Sequence, residues 1–588
     1  MNSNLSITNL LRRLWGHISP RRRWQFMLLL ILMLLTSFAE IMSIGAVLPF
    51  LGALTAPDRI FEMPVTQPLI QMLGLTEPKE LLLPLTITFG FGAVIAGAMR
   101  LLLMWATTRL SFATGADLSI GIYRRTLYQS YAVHCARNSS EVIAGISTKA
   151  NGVIHSAIVP TLTLISSSVM LLFILIALLI VDPLVALVAF GGFGFIYLCI
   201  IRLTRKQLRV DSKCVAIESS QVIKSLQEGL GGIRDVLIDG TQEIYCQIYR
   251  KADLPLRRAQ GNSLFISASP RYGIEALGML LIAGLAYSMA QQVDGVAKAI
   301  PILGALALGA QRLLPVLQQA YASWTQINSG QSSLKDALDL LDQPLPKFAL
   351  NPVERLPFNR DIVLKDLGFR YGDQTHQVLK QLNLTINKGS RIGFIGTTGS
   401  GKSTLLDIVM ALLQPTEGTM QIDGQIITLT NYRAWQEHIA HVPQTIFLAD
   451  STVEENIAFG VPRDEIDQSR VKWAAQQAQI AETIESWSKQ YQAFVGERGV
   501  RLSGGQRQRI GIARALYKRA DVIIFDEATS ALDSVTEQAV MQSIEGLNEG
   551  LTVLMIAHRM TTLKNCTMIV ELADGGIRRI GSYQDLTS

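Results

Sequence analysis

Apolar residues are concentrated before about residue 330, where long hydrophobic segments follow one another. The segment 157–181 contains no charged residue, and as a helix it would extend about 37 Å, enough to cross the hydrocarbon core of a bilayer. Asp182 and Pro183 then make a short turn, and the segment 184–201 is again apolar. We predict that these two segments are transmembrane helices and that the second returns to the side on which the first began.

Four further segments have the length and hydropathy of transmembrane helices, although one or two polar residues interrupt each of them. They are 24–52, 82–108, 263–291 and 299–326. An even number of spans places both termini on one side of the membrane. The intervals 109–156 and 202–262 are long and basic, whereas 55–80 has only Arg59 and Lys79 against four acids. Since cytoplasmic loops carry the basic excess, we predict that both termini are cytoplasmic.

Three shorter segments have patterns of their own. Residues 10–24 are basic and amphipathic, which favours an interfacial helix that leads into the first span; a disordered basic tail is the alternative. Residues 63–75 are predicted to form a short amphipathic helix at the outer surface. Residues 228–240 are rich in glycine between helical stretches, which indicates either a bend that could touch another domain or a simple loop.

The pattern changes after the apolar half. Residues 341–360 include four prolines, which is typical of a linker. From there onward, β-branched runs alternate with helical patterns, as in α/β domains. We therefore divide the chain into a transmembrane domain of six helices at 1–335, a linker at 336–355 and an α/β domain at 356–588.

Composition and charge narrow the class of protein. Of the 588 residues, 49% are hydrophobic and 17% are charged, and the net charge is +6. Such a charge could indicate nucleic acid as a partner, but much of the basic excess flanks apolar segments, where it encodes membrane orientation. The five cysteines are scattered, so they predict neither a disulfide framework nor a metal site. We predict an integral membrane protein that does not bind nucleic acid.

The segment RIGFIGTTGSGKSTLL combines an apolar strand, a glycine-rich turn and the start of a helix. It fits the P-loop pattern G-x-x-x-x-G-K-[ST], in which small residues let backbone N–H groups surround phosphates. Lys402 would reach the β and γ oxygens of a nucleotide, and the Ser403 hydroxyl would bind Mg²⁺. The predicted nucleotide-binding residues of this loop are Gly396, Thr397, Thr398, Gly399, Ser400, Gly401, Lys402, Ser403 and Thr404.

Two adjacent carboxylates follow the apolar strand in DVIIFDEATSALD. After a strand, an acidic pair is usually a solvated turn. Downstream of a P-loop, however, such a pair suits ATP hydrolysis: Asp526 would hold Mg²⁺, and Glu527 would polarise the attacking water as general base.

The segment LSGGQRQRIGIARAL, from Leu502, resembles the signature of the ATP-binding-cassette (ABC) family, and the region 356–588 resembles that family's nucleotide-binding domain. The resemblance implies further roles for single residues. Tyr371 would stack on adenine, and Gln444 would contact Mg²⁺ and sense the membrane domain. His558 would be the switch histidine at the γ-phosphate, and Asp533 would lie at a dimer contact.

The same resemblance implies a dimer, because two cassettes close face to face in this family. Each ATP then lies between the P-loop of one copy and the signature of the other. The signature residues concerned are Ser503, Gly504, Gly505 and Gln506. All catalytic positions are intact, so a homodimer is the simplest interpretation, and a heterodimer with another chain remains possible.

The apolar half, followed by one cassette, resembles the half-transporter exporters of the type IV architecture. In these, extended spans carry coupling helices, and the segment 228–240 falls where the second is expected. Three stretches also resemble lipid-linked oligosaccharide flippases of the PglK type: FAEIMSIGAVLPFLGALT, PRYGIEALG and ALGAQRLLP. In that branch, an outer helix matching residues near 63–75 is proposed to meet the polyprenyl tail.

Three arginines lie in or near predicted spans: Arg100, Arg271 and Arg312. A charge inside a bilayer is costly, so it normally faces a cavity or a partner. Arginine's planar fork suits phosphate oxygens, and the resemblance implies that these three residues bind the pyrophosphate of the substrate. The alternative is ion pairing, since Glu275 follows Arg271 by one helical turn and Glu40 lies in the first span.

These observations lead to an expected function. We expect a homodimeric ABC exporter that uses ATP and Mg²⁺ to flip a polyprenyl-pyrophosphate-linked oligosaccharide, or a similar glycolipid, across a bacterial plasma membrane. The same machine could instead move a lipid A-like glycolipid, another polysaccharide precursor, a peptide or a drug. A membrane-anchored regulatory ATPase without transport is a further alternative, against which the intact catalytic residues and six spans count. The uncharged spans exclude a soluble nucleic-acid ATPase.

Overall fold

The structure is a computed structural model, and it describes most of the chain. The described residues are 6–55, 58, 61, 67, 70–71, 74–181, 183–290, 313–349, 354–372, 376–527, 532–546, 550–557 and 560–587. They form two compact units, of which one comprises Met1–Gln129 and Val133–Leu345 and the other Ser130–Ala132 and Pro346–Ser588. The boundary between Leu345 and Pro346 lies inside the predicted linker.

Up to Leu341, the regular structure of the described residues is entirely helical. The helices are α1 (Ile7–His17), α2 (Pro20–Thr55), α3 (Leu82–Leu127), α4 (Tyr131–Ala136), α5 (Ser139–Ala144), α6 (Ala150–Val153), α7 (Val159–Val181), α8 (Pro183–Gly231), α9 (Ile233–Ile238), α10 (Gln242–Ala268), α11 (Pro270–Ala290), α12 (313–329) and α13 (Gln331–Leu341). Single π-helical turns, Gly145–Lys149 and Ile154–Ile158, connect α5, α6 and α7 into one continuous rod.

Where the structure describes them, the predicted spans are helical, apart from a break at Ser269. Among the described residues, the stretches Pro20–Ser43, Pro78–Leu127 and Ser139–Ile176 are long and apolar enough to cross a membrane. The predicted span 263–291 is divided, because α10 ends at Ala268 and α11 begins with Pro270. Proline cannot donate a helical hydrogen bond, so it suits a first helical position. Of the predicted span 299–326, the part from 313 is described, and it is helical.

Two helices are much longer than a bilayer is thick. Helix α3 has 46 residues and α8 has 49, so they extend about 69 and 74 Å at a rise of 1.5 Å per residue. A hydrocarbon core of about 30 Å accounts for less than half of either length. Helices α3 and α8 therefore continue well beyond the apolar segments and into the basic intervals.

The N-terminal segment is a helix rather than a disordered tail. Leu10 and Leu14 of α1 are buried in a core shared with Leu338 of α13. On the polar side, Arg13 donates to Asp339 at 2.8 Å. The apolar residues of this segment recur at helical spacing, which gives it a buried face, and α13 provides the surface that covers that face.

The first residues of the predicted linker are helical. Helix α13 continues to Leu341, so residues 336–341 of the predicted linker belong to it. Its apolar residues recur at three- and four-residue spacing and are buried. Those residues are Leu334, Ala337, Leu338 and Leu341. The proline-rich part of the sequence begins at Pro344, three residues after this helix ends.

The glycine-rich segment 228–240 is a bend that contains a short helix, not a simple loop. Helix α8 ends at Gly231, α9 follows directly, and Gly240 has a left-handed φ of 64° before α10 begins. Leu237 and Ile238 of α9 are largely exposed. The other predicted surface helix, 63–75, lies mostly outside the described residues.

The second unit contains two sheets. Its strands are β1 (Asp361–Phe369), β2 (Leu379–Asn387), β3 (Arg391–Ile395), β4 (Glu417–Ile422), β5 (Gln425–Ile426), β6 (Ile439–Val442), β7 (Val522–Asp526), β8 (Thr552–Ile556), β9 (Met568–Ala573) and β10 (Gly576–Gly581). The smaller sheet is antiparallel, with the order β2-β1-β4-β5. The larger has the order β10-β9-β3-β8-β7-β6 and is parallel except at β10.

Helices pack against both sheets in this unit. They are α14 (Lys402–Val409), α15 (Tyr432–Gln436), α16 (Val453–Ile457), α17 (Gln468–Gln477), α18 (Ala481–Glu485), α19 (Gly504–Tyr517), α20 (Ser534–Glu545) and α21 (Tyr583–Thr587). The strands β3, β6, β7 and β8 are parallel, so their carboxyl ends lie at one edge of the sheet. In such sheets ligands bind at that edge. The P-loop, Gln444 and Asp526 all follow strands that end there.

Candidate functional site

The predicted P-loop joins β3 to α14, and its glycines occupy positions that other residues could not. Gly396, Gly399 and Gly401 have φ values of 144°, 87° and 97°. A Cβ atom at Gly396 would lie 2.2 Å from the carbonyl oxygen of Leu572, and one at Gly401 would lie 2.6 Å from Leu379 Cδ2. The loop can therefore pass tightly between its neighbours only with glycine at these places.

The Lys402 side chain folds back over this loop. Its Nζ donates to the carbonyl oxygens of Gly396 at 2.8 Å and Thr397 at 2.9 Å, and the residue is buried. Lys402 is also the first residue of α14, whose N-terminal N–H groups attract anions. The ammonium group and the helix end thus converge on one point, which suits the phosphates of a nucleotide.

Three hydroxyls surround the same loop. Ser403 is exposed in the first turn of α14, whereas the Ser400 hydroxyl is buried and has no hydrogen-bond partner among the described residues. Thr404 Oγ1 lies 3.1 Å from the hydroxyl of Tyr371. Tyr371 itself is mostly exposed, and its ring lies edge-on to Phe369. The structure therefore brings the predicted adenine-stacking residue next to the phosphate loop.

The acidic pair lies at the end of β7, together with Gln444. Glu527 has a left-handed φ of 50°, and its N–H donates to the Ile556 carbonyl at 3.2 Å. Gln444 Nε2 donates to Glu527 Oε2 at 2.7 Å. A non-glycine residue in this conformation is strained, and such strain is concentrated at functional positions. The conformation directs the Glu527 carboxylate toward Gln444, 83 residues earlier in the chain.

The charges around Asp526 favour a cation. Burial and the neighbouring Glu527 raise the pKa of Asp526, while Lys402 opposes this effect. Among the described residues, no group of three or more His, Cys, Asp and Glu side chains could hold a metal alone. Mg²⁺ is commonly held by one or two carboxylates together with phosphates and waters. The donors Ser403, Gln444 and Asp526 fit that mode of binding.

Asp407 is a titratable neighbour of this site that the sequence analysis missed. It lies on α14, and burial, followed by the charge of Asp526, raises its pKa to about 6. Its position in the sequence gives no signal, because Asp526 approaches it only through the packing of α14 on the sheet. The hydrophobic periodicity of this helix would place residue 407 near the core. A carboxyl group at such a position is the one feature by which the sequence could have identified Asp407.

We expect Asp407→Asn to stabilise the second unit at pH 8 and to have no effect near pH 4. The unfolded carboxyl ionises around 3.8, whereas the folded one keeps its proton to about pH 6. The unfolded state therefore loses its proton first, and stability falls as the pH rises from about 4 to about 6. Asparagine removes this cost, which solvent screening of the half-buried carboxyl keeps below about 3 kcal/mol.

Thermal unfolding of the full-length protein in detergent, with EDTA and without nucleotide, measures this effect. Asp423→Asn is the control of opposite sign, because the Asp423 carboxylate accepts backbone N–H groups of Asn359, Arg360 and Asp361 at 2.6, 2.8 and 3.1 Å. This control should lower the unfolding temperature at pH 8. Equal unfolding temperatures of wild type and Asp407→Asn at pH 8 would contradict the expectation.

The predicted signature residues form the start of α19. Ser503 is the N-cap and accepts from the Gln506 N–H at 3.2 Å, and Gln506 Oε1 accepts from the Ser503 N–H at 2.9 Å. Gly504 and Gly505 make up the first turn. Asp533 likewise caps α20, where it accepts from the N–H and hydroxyl of Thr536. The reciprocal cap of α19 and the aspartate cap of α20 fix the two helix ends. The dimer contacts predicted for these residues remain predictions.

Two predicted functional residues, His558 and Arg312, lie outside the described residues. Their roles at the γ-phosphate and at the substrate remain predictions.

The other two arginines of the apolar half have acidic partners. Arg100 donates from Nη2 to Glu40, whose side chain is buried, while 58% of the Arg100 side chain is exposed. Arg271 Nε donates to Glu275 Oε1 at 2.7 Å, and 52% of its side chain is exposed. Ion pairing, the alternative raised by the sequence, is therefore present at both sites. Both guanidinium groups nevertheless remain accessible from one side.

Residues 379–530 match the family described as ABC transporter. The chain is 27% identical to an ATP-dependent lipid A-core flippase of Cupriavidus metallidurans, over 98% of this chain and 93% of that protein. It is 29% identical to one of Paraburkholderia xenovorans, over 80% and 78%. The heterocyst differentiation ATP-binding protein HepA of Nostoc is 31% identical over 65% and 62%.

A solved structure of a bacterial Atm1-family ABC exporter with ATP bound aligns with a TM-score of 0.77 at 23% identity, over 96% of both chains. At this identity the likeness shows the fold. It confirms the predicted fold class: a helical transmembrane domain joined to an α/β P-loop ATPase domain.

Proposed function

We propose that this chain, an ABC exporter by its ATPase domain and its fold, is half of a homodimer that flips a phosphate-bearing glycolipid across a bacterial plasma membrane. A polyprenyl-pyrophosphate-linked oligosaccharide is the first candidate for the cargo. The observation that carries this proposal is Arg271, a paired but half-exposed guanidinium on the predominantly apolar helix α11. Both termini are cytoplasmic in this proposal.

The second unit supplies the energy by hydrolysing ATP. Lys402 and the N-terminus of α14 bind the β and γ phosphates, and Tyr371 stacks on adenine. Mg²⁺, when bound by Ser403, Gln444 and Asp526, neutralises charge on the phosphates. Glu527 orients the attacking water and accepts its proton, and Gln444 holds the Glu527 carboxylate in place. His558 contacts the γ-phosphate.

A second copy of the chain completes each ATP site. The capped N-terminus of α19, with Ser503, Gly504, Gly505 and Gln506, is suited to contact phosphate oxygens across a dimer, because helix N-termini attract anions. Asp533 contacts the opposite copy. Binding of ATP closes the two cassettes and turns the cavity of the apolar half outward, and hydrolysis resets it.

The arginines support an anionic cargo through unused hydrogen-bond donors rather than through net charge. A guanidinium has five N–H donors, and the pairs with Glu40 and Glu275 are made by single donor atoms of Arg100 and Arg271. The remaining donors on these exposed groups can reach phosphate oxygens, for which arginine's planar fork is well suited. Uncompensated transfer of a pyrophosphate into hydrocarbon would be prohibitive, so donors at this depth would replace its hydration.

A lipid A-core glycolipid is the second candidate cargo. It is favoured by the relatives named ATP-dependent lipid A-core flippases, one of which aligns over nearly the whole chain. The two candidates share an anionic, sugar-bearing headgroup on a lipid anchor. The donors described above suit this shared chemistry, and they do not distinguish between the two lipids.

Reconstitution in liposomes tests the proposal. Fluorescent polyprenyl-pyrophosphate glycan, lipid A-core glycolipid and a matched glycolipid without phosphate are each assayed for ATP-dependent movement between leaflets. Movement of a phosphate-bearing lipid, but not of the phosphate-free one, supports the proposal and identifies the cargo. Equal movement of the phosphate-free lipid would contradict it, as would ATP hydrolysis without movement of any lipid.

Among variants of the apolar half, we expect Arg271→Ala to reduce flipping at least about tenfold and basal ATP hydrolysis far less. The estimate follows from losing hydrogen bonds between a charged donor and phosphate. Arg257→Ala is a matched control, because Arg257 pairs with Asp253 one turn away on α10 at 3.1 Å. Equal losses of flipping and of hydrolysis in Arg271→Ala would favour a purely structural ion pair.

A further inference from the structure

A small concavity lies beside Arg271 in the apolar half of the chain. It is formed by residues of three helices: Tyr197 of α8, Arg271 and Glu275 of α11, and Gln318 of α12. Its volume is about 50 Å³, and it is partly open to solvent. This is well below the roughly 300–1,000 Å³ of a site that surrounds its ligand, so it can receive only the polar edge of one sugar or phosphate group, with the rest of that group in the opening.

The lining combines polar groups with apolar walls. Tyr197 offers a hydroxyl, Gln318 an amide, and Arg271 a guanidinium, while Ile274 and Leu314 form apolar surface between them. Glu275 accepts from Arg271 Nε, which leaves the two Nη groups of the guanidinium for another partner. Polar groups that converge on an apolar recess are typical of sites that orient a polar ligand.

A buried hydroxyl next to the concavity lacks a partner. Tyr321 is only 4% exposed, and its hydroxyl has no hydrogen-bond partner among the described residues. Its ring packs against that of Tyr197, with centroids 5.3 Å apart. Tyr321 follows Gln318 by three residues on α12, so both lie on one face of the helix. A buried polar group without a partner is unfavourable, so a ligand or water that hydrogen-bonds to this hydroxyl would gain stability from doing so.

We propose that this concavity, with Tyr321 beside it, binds the sugar next to the phosphate in the headgroup of the transported lipid. The Nη groups of Arg271 bind a phosphate oxygen, and Glu275 is a positioning residue that holds the guanidinium. The Gln318 amide and the hydroxyls of Tyr197 and Tyr321 bind hydroxyls of the sugar. This inference rests on the proposed function, and it names residues that determine headgroup specificity.

The mixture of groups favours a sugar phosphate over an apolar cargo. A pocket for a drug-like molecule would be lined mainly by apolar and aromatic surface with few charges. Here, the ion pair, the Gln318 amide and Tyr197 line one concavity, and the Tyr321 ring contacts that of Tyr197. Sugar hydroxyls both donate and accept, as do an amide and a phenol, whereas phosphate oxygens only accept, as a guanidinium requires.

The test measures how full-length variants in liposomes respond to two lipids. The variants are Tyr321→Phe, which removes only the unpaired hydroxyl, and Gln318→Ala. Tyr272→Phe is the matched control, because Tyr272 is next to Arg271 but largely exposed and not part of the concavity. The probes are polyprenyl-pyrophosphate glycan and the same polyprenyl pyrophosphate without sugar, and the readout is the lipid concentration that gives half-maximal stimulation of ATP hydrolysis.

For the glycan-bearing lipid, we expect this concentration to rise roughly fivefold in Tyr321→Phe and in Gln318→Ala, which corresponds to one lost hydrogen bond. For the sugar-free lipid, and in Tyr272→Phe, it should match the wild type. Equal concentrations for wild type and both variants would overturn the sugar subsite while leaving the proposed function intact. An equal rise for both lipids would also overturn it, since it would indicate altered packing.

Absence of stimulation of the wild type by either lipid would overturn the proposed function for this cargo and the subsite with it. The outcomes are therefore distinguishable, because the wild type alone decides the proposed function and the variants decide the subsite. Thermal unfolding of each variant accompanies the assay. Tyr321→Phe should unfold at or above the wild-type temperature, since it removes a buried hydroxyl without a partner; a clear decrease would show that the hydroxyl is satisfied within the protein and would overturn its assignment to the ligand.

Discussion

Glu527→Gln is expected to lower ATP turnover at least a hundredfold while ATP still binds, because general-base catalysis typically contributes a factor of about 10² to 10⁴. Glutamine has almost the same size as glutamate, so the left-handed conformation and the N–H bond to Ile556 can be retained. Its amide cannot accept a proton from the attacking water. The Gln444 amide, which donates to Glu527 at 2.7 Å, would still find an oxygen acceptor.

Single-turnover hydrolysis and equilibrium binding of ATP, measured on the same preparation, separate the two effects. Glu417→Gln is a suitable control, because Glu417 is a surface partner of Arg370 at 2.8 Å in the same domain, and it should leave turnover near the wild-type value. Near-normal turnover in Glu527→Gln would remove Glu527 from the role of base. Loss of ATP binding would instead indicate that Glu527 maintains the structure of the site.

The nucleotide site could be predicted because most of its parts are contiguous in the chain. The P-loop needs one strand end, one helix start and the residues between them, so its pattern of glycines encodes its geometry. The hydrogen bond between Gln444 and Glu527 has no such local code, since it joins two strand ends 83 residues apart. The raised pKa of Asp407 is non-local as well, because it arises from burial and from the packing of α14 near Asp526.

In the apolar half, too, some features could be predicted from the sequence and others depend on packing. Spans could be predicted from length and hydropathy, because a bilayer requires about 20 apolar residues in a row. The pair of Arg271 with Glu275 was visible as an i, i+4 spacing, whereas that of Arg100 with Glu40 depends on how α2 packs along α3. The unpaired hydroxyl of Tyr321 left no trace in the sequence, because burial of one tyrosine in an apolar helix is not encoded by periodicity alone.

Lys402→Met should reduce the affinity for ATP at least about tenfold and bring hydrolysis below detection, in contrast to Glu527→Gln, in which binding survives. A hydrogen bond to a charged group contributes roughly 1.5–3 kcal/mol, and a factor of ten in affinity corresponds to about 1.4 kcal/mol. Lys402 Nζ donates to the carbonyls of Gly396 and Thr397. An ammonium group has three N–H donors, so one remains for a phosphate oxygen, and methionine provides none of the three.

Lys518→Met distinguishes loss of a phosphate contact from loss of loop structure. Lys518 Nζ also donates to two backbone carbonyls, those of Gln436 at 3.0 Å and Ile439 at 2.6 Å, and burial lowers its pKa. Lys518→Met, like Lys402→Met, removes two hydrogen bonds to backbone carbonyls, so it should destabilise the ATPase domain. It should leave the affinity for ATP unchanged. If both variants lost affinity to the same extent, the role of Lys402 would be to hold the loop together; a loss confined to Lys402→Met would show that its ammonium group binds the nucleotide itself.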